Sequence, residues 1–156
     1  MENKMDVLSK KYVLEHGINF DEELWFTSSS DEVLDKPEEK NGKPFTGLAY
    51  ELYDNGTLAY YCYYRDGFKE GNYVKFYQSG KVKTTNFMIK GQTRGIRKIW
   101  YECEVLKYEG EFKFGICLHY TEWDKHGDVI RKKVAPTKEE LAFINRCSKR
   151  EDNPLI

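Results

Sequence analysis

From residue 44 to residue 134 apolar and polar side chains alternate in short runs, and a glycine interrupts them about every dozen residues. The runs are roughly six to nine residues long and rich in Tyr, Phe, Val and Thr, the composition of β-strands. The interruptions keep a period. Gly47, Gly71 and Gly95 are 24 residues apart, as are Gly56 and Gly80, and Gly67, Gly91 and Gly115. Between them Leu52-Tyr53, Phe76-Tyr77 and Trp100-Tyr101 recur in the same phase, while Trp123 and Gly127 arrive one residue early and Glu104 stands where its sister units have Gly56 and Gly80. A fixed period of this size is the signature of a structural repeat. Each unit reads as one β-hairpin, and successive hairpins as an antiparallel meander of about eight strands.

Glycine tolerates positive φ, which tight reversals require. Asp54-Asn55-Gly56 and Gln78-Ser79-Gly80 read as three-residue hairpin loops, and Asp66-Gly67 and Lys90-Gly91 as the start of longer returns. Strict alternation then sorts the side chains onto two faces. A packed face takes Tyr50, Leu52, Leu58, Tyr60, Cys62, Tyr64, Val74, Phe76, Val82, Met88, Trp100, Leu106, Tyr108, Phe112 and Trp123. An amphipathic, water-facing side takes Tyr53, Tyr61, Tyr63, Tyr73, Tyr77 and Tyr101, interleaved with charges that include Lys75 and Arg97.

The flanks read differently. Asp6 to Glu15 suggests a short helix ending at His16-Gly17, with an extended Tyr12–Leu14 as the alternative. Leu24–Thr27 suggests a strand, and residues 28–43 a polar loop. After Val134, Thr137 and Glu140 have the spacing of a capping box, in which each side chain satisfies a backbone N–H of the other. Leu141, Ile144 and Cys147 or Phe143 follow at helical intervals, so a helix to about Ser148 is expected, with a fraying tail containing Pro154. The chain thus divides into an N-terminal segment 1–43 that packs on or extends the sheet, a repeat sheet 44–134, and a helix with tail 135–156. The fold class is mainly all-β.

Composition narrows the function. The formal net charge is −1, divided as −5 over residues 1–44 and +4 over the remainder. That is too small and too dispersed a positive charge for a nucleic-acid-binding domain. No apolar run reaches the ~18–20 residues of a membrane span, and Met1 to Lys4 lacks a signal-peptide pattern, so a soluble cytoplasmic protein is expected. Cys62, Cys103, Cys117 and Cys147 form no CxxC pair and read as reduced thiols. His16, His119 and His126 have neither metal-site nor nucleophile–base spacing, and the two glycines around Thr93-Arg94 belong to the repeat rather than to a phosphate loop. No catalytic, cofactor-binding or metal-ligating residue is expected, and no enzymatic activity. The surplus is aromatic: 11 of the 12 tyrosines fall between Gly47 and Val134. Tyrosine gives large contact area at small entropic cost, as binding surfaces need.

These residues resemble a family. Tyr108-Glu109-Gly110-Glu111-Phe112 followed by Gly115 is similar to the tyrosine-glutamate-glycine core of MORN-type repeats. Pro44-Phe45-Thr46-Gly47, Tyr53-Asp54-Asn55-Gly56, Gly71 to Tyr77 and Trp123 to Gly127 resemble the 24-residue bacterial MORN-repeat variant, across roughly residues 44–140. The resemblance implies an antitoxin or immunity protein that binds a cognate toxin protein and neutralises it by stoichiometric occlusion. The alternative it leaves is a MORN-type scaffold or membrane-surface module, which the scarcity of clustered Lys and Arg disfavours. The partner-binding residues expected on the open face are Tyr53, Tyr61, Tyr63, Tyr73, Tyr77, Tyr101, Lys75 and Arg97. A nucleic acid or a membrane is not an expected partner.

Overall fold

The structure, a computed structural model, describes residues 6–152. Four two-stranded units build its sheet: β4 (Gly47–Leu52) with β5 (Leu58–Arg65), β6 (Phe68–Phe76) with β7 (Val82–Ile89), β9 (Gly95–Trp100) with β10 (Leu106–Lys113), and β11 (Ile116–Trp123) with β12 (Val129–Lys133). They run in chain order, antiparallel throughout. The short β8 (Gln92–Thr93) pairs with β7, and β1 (Ile18–Asn19) adds a parallel strand beside β4. The expected meander is therefore present, in a sheet of ten strands.

Both kinds of turn follow from the glycines. In the hairpin loops Tyr53, Tyr77, Tyr101 and Asp124 each donate a backbone N–H to the carbonyl four residues on, at 2.8–2.9 Å. The loop's last residue is left-handed: Gly56, Gly80 and Gly127 at φ 81–88°, and Glu104 at φ 67°. The returns are shorter than expected. Asp66-Gly67, Lys90-Gly91 and Phe114-Gly115 all have φ between 49° and 87°, so each is a complete two-residue turn of mirror-image type rather than the start of a longer loop.

The face assignment needs one correction, with one cause. In every unit the ladder slips by a residue just after the loop. Leu52 pairs with Leu58 while Glu51 pairs with Tyr60, and the same happens at Phe76/Val82, Trp100/Leu106 and Trp123/Val129. Ala59, Lys83, Lys107 and Ile130 are the extra residues of four equivalent β-bulges. A bulge puts two residues opposite one and reverses the parity beyond it. Tyr60, Cys62, Tyr64 and Tyr108 therefore lie on the face opposite Leu58, Val74 and Phe76, whereas Tyr61 joins the latter.

The N-terminal segment covers both faces of the sheet's first half. Helix α1 (Lys10–His16) is capped by the Ser9 side chain, which accepts the Tyr12 N–H, and by Gly17. Its Val13 packs with Leu48, Leu58, Tyr61, Val74 and Phe76, and this side is here called the α1 face. The chain then passes round the edge through β1. The single turn α2 (Phe20–Glu23) and the small pair β2 (Trp25–Phe26) and β3 (Val33–Leu34) follow on the other side. There Phe20, Leu24, Val33 and Phe45 bury Ala49, Cys62 and Tyr64, forming the α2 face. The segment 28–43 is not only the polar loop expected: Val33 and Leu34 are buried within it.

Helix α3 (Lys138–Asp152) begins with the expected capping box. The Thr137 Oγ1 accepts the Glu140 N–H at 3.1 Å, and the Glu140 Oε1 accepts the Thr137 N–H at 2.8 Å. The helix outlasts the expected end at Ser148; the tail beyond it, with Pro154, lies outside the described residues. Lys133 reaches Glu140 at 2.8 Å, and Arg94 pairs with Glu151 at 3.2 Å, so both ends of α3 are tied to the sheet. No helix of the described residues is long and apolar enough to cross a membrane.

Candidate partner-binding surfaces

The eight residues expected on one open face are distributed over three places. Tyr61 is in the core, fully buried, with its hydroxyl accepting the Leu8 N–H at 3.0 Å. It is not available to a partner. Tyr63 lies half-buried beside that cluster on the α1 face. Both were expected on the open side because strict alternation was carried through the bulge at Ala59.

Tyr53, Tyr77 and Tyr101 sit at the loop end and have a structural role. Their hydroxyls donate to the carbonyls of Phe76, Trp100 and Trp123 at 2.6, 2.7 and 3.0 Å. Each acceptor is the last residue of the next unit's first strand, so the three tyrosines staple successive repeats together. Their rings still face outward in part. Lys83 lies 5.5 Å from the Tyr77 ring, and Lys107 and Lys125 lie 5.4 and 5.7 Å from the Tyr101 ring, within cation–π range.

Tyr73, Lys75 and Arg97 do come together, on the α2 face. The ladder sets Tyr60 opposite Lys75 and Cys62 opposite Tyr73. Tyr60 meets the Tyr73 ring edge-on at 5.7 Å, and Lys69 and Lys75 stand 4.9 and 5.3 Å from the same ring. Burial dominates the electrostatics here. It pushes the Tyr73 hydroxyl up to about 12, and Tyr60 and Tyr108 upward as well. It also draws Lys75 down, reinforced by the like charges of Arg97, Lys69 and Lys83. Tyr108 stacks on Tyr120 at 5.3 Å further along the face. Sequence reasoning placed Tyr60 and Tyr108 in the core; the signal that would have moved them is the repeated extra residue after each loop.

The α1 face has a different character where α1 no longer covers it. An open groove of about 990 Å³ lies there, lined by Val82, Phe87, Ile96, Lys98 and Trp100 among others. Phe87 and Ile96 are 40% and 42% exposed. Trp100 and Trp123, expected to be buried like Phe76, are only half-buried. The reason is reach: α1 is seven residues long and its partners are in β4, β5 and β6. Among the described residues no group of His, Cys, Asp and Glu is arranged to hold a metal ion.

A comparison with known proteins bears on these surfaces. The chain resembles an immunity protein. Over 71 residues it is 55% identical to the immunity protein YwqK of Bacillus subtilis strain 168, a match covering 46% of this chain and 44% of that protein. The chain thus spans less than half the length of the curated relative it matches. No family model matches the chain.

Proposed function

We propose that this protein is an immunity protein of the bacterial cytoplasm. It binds a cognate toxin protein and neutralises it by stoichiometric occlusion, with no chemistry of its own. The observation that carries the reading is the 55% identity over 71 residues to an immunity protein. The fold supports it. A sheet braced by bulges and tyrosine staples is preorganised, so little ordering cost opposes association. Occlusion of an active site calls for an interface of roughly 1,600 Å² in total, and on this reading the half of the sheet beyond the cover of the N-terminal segment supplies this protein's share.

The test is co-expression with the toxin candidate encoded beside it, followed by purification and titration. A complex of fixed stoichiometry is expected, with toxicity suppressed only when this protein equals or exceeds the toxin. Protection at far below one copy per toxin would overturn occlusion and point to an enzyme. Failure to form any complex would overturn the immunity reading itself.

A further inference from the structure

Five cations share one band of the α2 face. Lys69 and Lys75 come from β6, Lys83 from the bulge of β7, Arg97 from β9 and Lys107 from the bulge of β10. A bulge turns both of its residues towards one side of the sheet, which is why Lys83 joins Thr84 and Lys107 joins Tyr108. Among the described residues none of the five makes a salt bridge; the ion pairs involve Lys11, Arg94, His119 and Lys133 instead. Each of the four lysines lies against a tyrosine ring, Lys69 and Lys75 on Tyr73, Lys83 on Tyr77 and Lys107 on Tyr101. Arg97 adds a second observation. Its Nε is buried and has no hydrogen-bond partner. A buried N–H without an acceptor is costly and rare in native structures. Carboxylates flank the band: Glu51 on β4, turned towards Tyr60 and with Asp21 near it, Glu122 on β11 opposite Tyr108, and Glu102 at the loop end near Tyr77.

We infer that this tyrosine–lysine band is a docking surface for an acidic segment of a partner protein, whose Asp and Glu carboxylates supply the anions that Lys69, Lys75, Lys83, Arg97 and Lys107 lack. The inference rests on the proposed immunity function and adds the chemistry of the contact. Burial first, and then the like charges of Arg97, Lys69 and Lys83, draw Lys75 down, so an incoming carboxylate would offset both the desolvation and the repulsion. Lys69, Lys75 and Lys107 are half-buried against their rings while Lys83 is exposed, and such partial desolvation strengthens a charge-assisted hydrogen bond to carboxylate. Protein carboxylate is favoured over nucleic-acid phosphate because the proposed function has a protein partner, and five cations among a chain of net charge −1 are fewer than a nucleic-acid-binding domain clusters.

The experiment titrates the full chain with a hexaglutamate peptide, a hexalysine peptide and a twelve-residue oligothymidylate, read by amide chemical shifts. Hexaglutamate should give saturable shifts centred on Tyr73, Lys75, Lys83 and Lys107. The dissociation constant should rise about tenfold or more between low salt and several hundred millimolar salt, since the contact is electrostatic. The double variant Lys83→Glu/Lys107→Glu, at positions with little folding risk, should abolish the shifts, and Lys83→Gln/Lys107→Gln should weaken them. Absence of saturable shifts, shifts elsewhere on the molecule, or shifts unaffected by the double variant would overturn the inference. Tighter binding of the oligothymidylate would also overturn it, in favour of a phosphate backbone. The same double variant is then tested against the co-expressed toxin candidate. A complex unweakened by it removes this surface and leaves the immunity reading standing, whereas no complex with either form removes the immunity reading.

Discussion

Replacing Glu104 with glycine should stabilise the protein. Glu104 closes the third hairpin loop at φ 67°, the position that Gly56, Gly80 and Gly127 fill at φ 81–88°. Its backbone N–H still donates to the Tyr101 carbonyl at 2.9 Å, so the loop keeps its geometry despite the wrong residue. An L-residue held left-handed costs about 1–2 kcal/mol, and glycine's extra freedom in the unfolded chain takes back about 0.5–1 kcal/mol. The net gain is then about 0.5–1 kcal/mol. For a chain of this size that corresponds to a rise in melting temperature of roughly 1–4 °C. Gly80→Val is the mirror experiment. A Cβ at Gly80 meets nothing within 4 Å, so its cost is backbone strain alone, about 1–2 kcal/mol. Thermal unfolding followed by circular dichroism reads both. A Glu104→Gly protein that melts at or below wild type, or a Gly80→Val protein that matches it, would refute the assignment of these loops.

Four further outcomes are expected. Tyr77→Phe leaves the Trp100 carbonyl without its 2.7 Å donor and should cost about 1 kcal/mol in chemical denaturation, with Tyr53→Phe behaving alike. Thr137→Ala removes the cap of α3 and should cost about 1 kcal/mol in the same measurement. The acid side of that capping box can be read separately. The hydrogen bond from Lys133, then that from Thr137, holds the Glu140 carboxyl below its ordinary value. Its stabilisation is therefore complete above the unfolded carboxylate range and disappears as pH falls through the lowered folded value. Glu140→Gln should flatten that part of the stability–pH profile. Alkylation mapped by mass spectrometry should label the exposed Cys103 in the native protein. Cys62, buried and pushed up to about 12, should react only after unfolding.

The repeat, its period and its turns were legible because glycine at positive φ leaves a mark that no other residue can easily imitate. Two features were not. The bulge after each loop leaves no such mark, since Ala59, Lys83, Lys107 and Ile130 are of three different types. Pattern reading therefore carried Leu58 and Tyr60 onto one face when they lie on two. The other is the cause of the early arrival of Trp123. Residues 70–72 stand opposite Tyr63 alone in the first return, and 94–97 opposite Asn86 and Phe87 in the second, so each has two extra residues. In the third return only Leu118 is extra, between Cys117 and His119. Gly71 and Gly95, at φ 109° and 78°, permit the larger distortion, and the fourth unit has no glycine there. Of the surface, Tyr73, Lys75 and Arg97 were found together from the sequence. The burial of Tyr61 was not, because it depends on a helix whose docking no local pattern announces.

The tyrosine staples also have a direction. Each of the first three units donates a hydroxyl forward and none reaches back, so a hairpin's first strand is completed by the unit that precedes it. In the fourth unit the donor position is occupied by Asp124, which instead accepts the N–H groups of His126 and Asp128 within its own loop, at 2.8 and 3.1 Å. The array thus encodes its own last member. A copy of residues 71–94 inserted between the first and second units would find the Tyr53 hydroxyl behind it and the Phe76 carbonyl ahead of its own Tyr77. The same copy placed after the fourth unit would have Asp124 behind it, and its Phe76 carbonyl would be served by no hydroxyl. Growth and loss of units in such a chain are therefore permitted in the interior and resisted at that margin, with stability set by neighbouring pairs of hairpins rather than by the sheet as a whole.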